Sequence, residues 1–257
     1  MCTLSVITRK RDYLLGMNRD ERIARGAGEL PEIHQLNGTT AVYPTDGAGG
    51  TWIAANQHGI TLALLNQYCI VQRALDSSKV RSRGAIIPIL ASAPSLAGLQ
   101  AAFGPLNLEG IQPFRLVGVF PSERAIVEWG WDSSQIMFQT HGWHPRHWFS
   151  SSLSDSQAES LRGAACRDAQ HELDAGSAPW LRRLHASHAG GPGPFSLCVH
   201  RDDVKTLSYS EVLVTPGYIQ MGHFRGSSCT MAQIHPIEIQ GADCPDPAVK
   251  DVSRSAV

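Results

Sequence analysis

The feature that most constrains the fold is an early alternation of polar and apolar residues. Residues 3–8 alternate in this way, and residues 13–17 follow after a charged break at 9–12. A two-residue period is typical of strands, so these segments predict an antiparallel β-hairpin. A second pair of strands is predicted at 50–55 and 59–65, which are joined by turn-forming residues. The front of the chain is therefore predicted to be an antiparallel sheet.

Helical periodicity begins only after this sheet. It predicts helices at 85–90, 95–103 and 154–175, and Asp155 or Ser156 could cap the last of them. Further strands are predicted at 114–120, 125–131, 195–200 and 209–214. Sheet, helices and sheet in this order favour α+β layers over a parallel βαβ repeat.

The length and charge of the chain limit its organisation and its partners. The 257 residues fit one sheet-rich domain, which we place at 1–240, and the polar, proline-containing segment 241–257 is predicted to be a flexible tail. A net charge of −1 gives no electrostatic reason to expect nucleic acid or an anionic membrane as a partner. A small-molecule ligand is expected instead, and the oligomeric state stays open.

The N-terminal segment indicates the cellular compartment in which the protein is expected. It has neither the basic-then-apolar order of a signal peptide nor an apolar run long enough to cross a bilayer. We therefore expect a cytoplasmic protein without stable membrane insertion. The six cysteines lie far apart without a CxxC pair, which argues against a zinc ribbon or a redox pair and favours reduced thiols.

The position of Cys2 calls for explanation. Removal of Met1 would make Cys2 the first residue, with a free α-amine whose pKa of about 7.7–8.0 would let it take the thiol proton. One residue would then supply both nucleophile and base. The alternative is a small buried residue on a strand, because cysteine is among the most buried residue types.

Polar residues at the end of the predicted hairpin favour the first interpretation. Asn18, Arg19, Asp20 and Glu21 arrive where an antiparallel return can place polar side chains beside residue 2. Asp20 could hold the α-amine, and Arg19 could lower the pKa of the thiol. The alternative is an ordinary charged turn.

Five short motifs follow one another along the first third of the chain. They are MCT at 1–3, NRDE at 18–21, GGTW at 49–52, ALLN at 63–66 and SRG at 82–84. In this order they resemble the motif set of the NRDE family, also called the transport and Golgi organisation family. Weaker similarity continues to about residue 215 through FSSS at 149–152 and FSLCVH at 195–200.

The resemblance implies a fold and a reaction. The expected fold is α+β, a four-layer αββα sandwich of two antiparallel sheets similar to N-terminal-nucleophile (Ntn) hydrolases such as penicillin V acylases and bile salt hydrolases. Those enzymes cleave non-peptide amides with an N-terminal cysteine. The resemblance implies Cys2 as nucleophile, Asp20 as partner of its α-amine and Asn66 in the oxyanion hole. A strand-ending turn residue is the alternative for Asn66.

Three departures from those hydrolases put the activity in question. Met17 stands where they carry an arginine, and Arg19 occupies a neighbouring position. Ser151 replaces a second asparagine, and His200 replaces a late arginine. We expect Arg19 to tune charge or bind substrate, and the following side chains to contact substrate: Asn18, Trp52, Arg83, Ser151 and His200. Trp52 could instead fill the core, and Arg83 could pair with an acidic residue or lie in solvent.

Two functions follow from these expectations. The first is hydrolysis of a linear or cyclic non-peptide amide through a thioester at Cys2, with no cofactor required. The second is a noncatalytic carrier that uses the same pocket for haem or an acyl group, because relatives in the family have been connected with intracellular haem handling and with lipid homeostasis. The two differ in that only the hydrolase needs a mature Cys2 with a free amine.

Two groups of histidines invite a metal hypothesis. One is the segment HGWHPRH, with His141, His144 and His147, and the other is HASH, with His185 and His188. Glycine and proline interrupt the first group, and no neighbouring carboxylate pattern typical of zinc sites accompanies either. No metal site is predicted.

Overall fold

The computed structural model describes residues 2–10, 12–70 and 80–242, and these residues form thirteen strands and four α-helices. The strands are β1 Cys2–Thr8, β2 Tyr13–Arg22, β3 Glu32–Leu36, β4 Thr39–Tyr43, β5 Ile53–Asn56, β6 Thr61–Asn66, β7 Phe114–Phe120, β8 Ala125–Trp131, β9 Ile136–His141, β10 Arg146–Ser150, β11 Val204–Val214, β12 Tyr218–Arg225 and β13 His235–Gln240. The helices are α1 Ile86–Leu90, α2 Leu96–Phe103, α3 Asp155–Ala169 and α4 Ala178–Ala186.

The strands form two antiparallel sheets. The first sheet has the order β10-β1-β2-β11-β12-β13, and the second has the order β3-β4-β5-β6-β7-β8-β9. The first sheet thus joins strands from both ends of the chain around the hairpin β1–β2. Each strand of the second sheet pairs with its neighbour in sequence, and β6 and β7 do so although the segment between them carries α1 and α2.

Buried side chains separate four layers. Apolar residues of both sheets, including Leu4 of β1 and Val117 of β7, pack against each other in the middle. Helices α1 and α2 cover the outer face of the second sheet, and α3 and α4 cover that of the first. The predicted α+β, αββα sandwich is confirmed.

The polar face of the hairpin is buried as well, because α3 and α4 pack on it. Ser5 shows how this face is satisfied: its hydroxyl lies 2.8 Å from His147 Nδ1 and 3.0 Å from His185 Nε2. Buried polar groups need such partners. Burial lowers the pKa of these histidines to about 4 and about 3 respectively, so both stay neutral.

Predictions from sequence succeed where a segment has a strong local pattern of apolar residues. The hairpin, both early helices and the strands β7 and β8 are confirmed. The helix predicted at 154–175 is confirmed up to Ala169, where α3 ends, and is wrong over residues 170–175. Ser154, rather than Asp155 or Ser156, caps it by accepting from Gln157 N at 3.2 Å.

Other segments lack a clear local pattern of apolar residues. Residues 195–200 form turns and isolated bridges instead of the predicted strand. The edge strand β9 exposes three consecutive apolar residues, and β13, also at an edge, contains Pro236, which argues against a strand in sequence alone. Of the predicted tail, Gly241 and Ala242 are hydrogen-bonded to the body, and 243–257 lies outside the described residues. No helix among the described residues is long and apolar enough to cross a membrane.

Candidate active site around Cys2

The five motifs of the first third converge on one cavity of about 330 Å³. Each motif contributes at least one residue to the lining, although the motifs are separated in sequence by up to 80 residues. The motif residues that line it are Cys2, Arg19, Asp20, Glu21, Thr51, Trp52, Leu64, Asn66, Ser82, Arg83 and Gly84. The motifs therefore describe a site rather than separate turns.

Cys2 begins the strand at the centre of this arrangement. β1 lies between β10 and β2, so that Cys2 stands opposite Ser150 on one side and Arg19 on the other. Its main-chain nitrogen donates to Ser150 Oγ at 3.0 Å. Burial raises the pKa of the Cys2 thiol, so the resting side chain is protonated and depends on a base for reaction.

Arg19 forms the wall next to the thiol. Its guanidinium carbon lies 4.5 Å from the centre of the Trp52 ring, and Nη1 donates to the carbonyl of Gly26 at 2.9 Å. Met17 lies two residues earlier, on the same face of β2, inside the core between the sheets. Arg19 therefore reaches the cavity from the same face of β2 that carries Met17.

Trp52 lies where the core between the sheets meets the cavity. It packs in the core between the sheets and also lines the cavity. One ring face is covered by Arg19, which is a favourable cation–π arrangement. A ligand in the cavity would therefore meet the edge of the ring or the guanidinium that covers it.

Asp20 contacts the opposite side of the sheet. It accepts a hydrogen bond from Thr206 Oγ1 at 2.6 Å, and its Oδ2 lies 3.5 Å from Arg162 Nη1. The same guanidinium donates to Thr3 Oγ1 at 2.9 Å. Burial raises the pKa of Asp20, and the charge of Arg162 opposes that rise.

Arg162 is a site residue that the sequence analysis missed. It is buried on α3 together with Ala158 and Cys166, at a spacing of four residues. An arginine at the apolar positions of an amphipathic helix is the signal that could have found it, because a buried guanidinium requires an anionic partner. Ser150 was missed as well, since the resemblance pointed to Ser151.

Asn66 ends β6 at the cavity. Its Nδ2 donates to Tyr68 Oη at 2.7 Å, which leaves the second N–H of the amide for another acceptor. The loop that follows is tied to the start of α3, because Tyr68 N and Cys69 N both donate to Asp155 Oδ2 at 2.7 Å. These bonds set the orientation of the amide.

Glycines explain how two of the motifs meet. Thr51 N donates to Gly84 O at 3.0 Å, and a Cβ on Gly50 would approach Gly84 to 3.2 Å. A side chain at this position would be tighter than most Cβ contacts, so glycine favours the close approach. Arg83 is thereby held at the cavity, where its Nη1 donates to Pro113 O at 3.0 Å, and burial lowers its pKa.

Three predicted substrate contacts lie outside the cavity. Asn18 Nδ2 donates to two carbonyls under the helix layer, those of His185 and Leu197, both at 2.8 Å. Ser151 N donates to Asp155 Oδ1, so this residue is tied to the turn that precedes α3. His200 lies beside two cysteines. None of these three is among the described residues that line the cavity.

Histidines that are close in sequence have different partners in the structure. His141 pairs with Glu128 at 3.2 Å, whereas His147 contacts Ser5. His185 points into the protein toward Ser5, and the ring of His188 lies 4.8 Å from that of His200.

Comparison with known proteins gives a family and a fold. The profile of Transport and Golgi organisation 2 matches residues 1–158. No curated protein sequence matches the chain. Similar solved structures include the C2A mutant of conjugated bile acid hydrolase from Clostridium perfringens, with 12% identity and a TM-score of 0.50 over 93% of this chain and 92% of that one. Penicillin V acylase from Agrobacterium tumefaciens has 10% identity and a TM-score of 0.53 over 93% and 86%. Both likenesses concern the Ntn-hydrolase fold.

Proposed function

Because this chain belongs to the Transport and Golgi organisation 2 family, we propose that it is an Ntn-type cysteine hydrolase that cleaves a non-peptide amide of a small molecule. The observation that carries the proposal is the position of Cys2. Its side chain lines the cavity, and its nitrogen is held by Ser150 Oγ at 3.0 Å. The fold shared with a bile acid hydrolase and a penicillin acylase supports it.

The nitrogen of Cys2 would serve as the base. Removal of Met1 would convert it into an α-amine, and Ser150 Oγ is placed to accept one of its N–H groups. Since burial raises the pKa of the thiol, the amine must take the thiol proton as Sγ bonds to the carbonyl carbon. That proton then passes to the leaving amine as the C–N bond breaks, and water cleaves the thioester.

Asn66 would stabilise the oxyanion of the tetrahedral intermediate. Tyr68 Oη holds one N–H of its amide, so that the other can donate to the developing charge. Such a preoriented donor is worth more in a partly dehydrated site than in water. Asp20 would support the nucleophile from beside it: the residue lines the cavity with Cys2, and its main-chain N–H is placed to donate to the Cys2 sulfur. Its carboxylate is engaged by Thr206 and Arg162.

The size of the cavity and the position of Arg83 favour a compact, anionic substrate. A volume of about 330 Å³ is at the low end of the range for small-molecule pockets. Among the described residues, Arg83 lines it with a main-chain carbonyl, that of Pro113, as its hydrogen-bond partner. Its guanidinium can therefore pair with a carboxylate on the substrate, as arginines do in bidentate recognition. We place the reaction in the cytoplasm.

Hydrolysis of a panel of N-acyl amides, followed by release of the amine, tests the proposal. Cys69 provides a matched control because it is an exposed cysteine that does not line the cavity. Wild type and Cys69→Ala should cleave the same amide, whereas Cys2→Ala should be at least about a thousandfold slower. Equal turnover by Cys2→Ala, or none by a wild type that has lost Met1, would contradict the proposal. Tight haem or acyl-ligand binding by Cys2→Ala in that case would favour the carrier.

A further inference from the structure

Four potential metal ligands meet at the end of the first sheet, outside the cavity around Cys2. His188 lies in the loop after α4, and Cys198 and His200 precede β11. Cys229 lies in the 3₁₀ turn Ser228–Thr230, which follows β12. One ligand atom from each of the four lies within 4.8 Å of all the others. Three segments that are distant in sequence thus bring two thiols and two imidazoles together.

The distances fit a tetrahedral ion. Nε2 of His200 lies 3.5 Å from Cys198 Sγ and 3.5 Å from Cys229 Sγ. Around zinc, with bonds of about 2.3 Å to sulfur and 2.0–2.1 Å to nitrogen, the tetrahedral edge between sulfur and nitrogen is about 3.6 Å. Two edges therefore already have the required length, and the remaining edges, at most 4.8 Å long, would have to shorten by about 1.5 Å or less.

The hydrogen bonding of the group also fits a metal. Nε2 of His188 is buried and has no hydrogen-bond partner among the described residues. The main-chain N–H of Cys229 is placed to donate to the Cys198 sulfur, and such a donor stabilises a thiolate.

We propose that His188, Cys198, His200 and Cys229 bind one zinc ion. Two thiolates and two imidazoles are a ligand set that zinc favours, and four protein ligands leave no open position for a substrate. The site is therefore structural. Binding would release the protons of both thiols, so affinity should fall as the pH is lowered.

The position of the site gives it a role in the architecture. Val199, between the two ligands Cys198 and His200, exchanges hydrogen bonds with Thr206 at 2.8 and 3.1 Å. Thr206 in turn donates to Asp20 at 2.6 Å. Zinc would thus brace the segment that supports Asp20 from the side opposite the cavity.

Metal analysis of the full-length protein, purified under reducing conditions, tests the proposal. Cys229 is exposed, so Cys229→Ser should fold. Cys69→Ser and His144→Ala, which change exposed residues outside the group, are the matched controls. We expect close to one equivalent of zinc in wild type and both controls. In Cys229→Ser, competition titration should give an affinity at least about a hundredfold weaker.

Cobalt distinguishes this site from adventitious binding. Wild type and both controls, loaded with Co²⁺, should show the intense visible bands of tetrahedral, thiolate-bound cobalt, and Cys229→Ser should lose them. A chelator should also lower the Tm of wild type but not that of Cys229→Ser. The proposal would be overturned by equal zinc affinity in wild type and Cys229→Ser. A disulfide between Cys198 and Cys229 in zinc-free protein from reducing conditions would overturn it as well.

Discussion

Replacing Arg162 with methionine should destabilise the protein strongly. Arg162 and Asp20 are each 1% exposed, and Nη1 of the arginine lies 3.5 Å from Oδ2 of the carboxylate. Removing one partner of a buried ion pair costs about 3–5 kcal/mol, because the other charge stays in a medium that solvates it poorly. We expect the free energy of unfolding of Arg162→Met to fall by about that amount, about 3–5 kcal/mol.

A double-mutant cycle separates charge from packing. In Asp20→Asn/Arg162→Met, a neutral amide replaces the carboxylate and can still accept from Thr206 Oγ1. The double variant should therefore be more stable than the sum of the single effects predicts, with a coupling energy of about 1–3 kcal/mol. Urea unfolding at neutral pH, followed by tryptophan fluorescence, measures all four proteins. A cost below about 1 kcal/mol for Arg162→Met, or additive effects, would refute the reasoning.

The same variant has a pH signature with a defined sign. Burial raises the pKa of Asp20 above its ordinary value of 3.8, and loss of Arg162 should raise it further. A carboxyl with a raised folded-state pKa stabilises the fold below that pKa and loses this contribution as the pH rises through it. The destabilisation of Arg162→Met should therefore shrink as the pH is lowered from about 7 to about 5.

Three further predictions concern single sites. Asn66→Ala should lower kcat about 10²–10³-fold on any amide that the protein hydrolyses, whereas Tyr68→Phe should cost less, as steady-state kinetics would show. Burial lowers the pKa of His185 from 6.5 to about 3. Because the unfolded chain then binds a proton that the folded protein does not, wild type should lose about 2 kcal/mol of stability between pH 7 and pH 5. His185→Gln should not show this loss in urea unfolding. Gly84→Ala should lower stability by about 1–3 kcal/mol in urea unfolding, because its Cβ would lie 3.1 Å from the facing main chain. Gly217→Ala, with open space around it, should have little effect.

The hairpin that carries the nucleophile could be predicted from sequence because its determinants are local. The alternation at residues 3–8 and 13–17 specifies two strands, and the short charged break between them specifies their antiparallel pairing. That pairing places Arg19 opposite Cys2. The five ordered motifs indicated further residues of the site, since each motif lines the cavity.

The contacts of Arg162 and Ser150 and the cluster around Cys198 and Cys229 could not be predicted from sequence. They depend on packing between distant segments. Arg162 reaches Asp20 only through the position of α3 on the first sheet. Ser150 and Ser151 are both buried, and only the register of β10 against β1 shows that Ser150 meets Cys2. Cys198 and Cys229, 31 residues apart, approach each other across two strands, a relation that no local spacing encodes.

The measurement that tests the central claim most directly is the intact mass of the protein after brief exposure to an N-acyl amide or an acylating probe. Wild type, Cys2→Ala and Cys69→Ala are compared. The proposed mechanism predicts a wild-type mass without Met1 and one acyl adduct, which is located at Cys2, is labile to hydroxylamine and is retained in Cys69→Ala. An unmodified wild type that keeps Met1, or an adduct that persists in Cys2→Ala, would contradict a hydrolase built on Cys2.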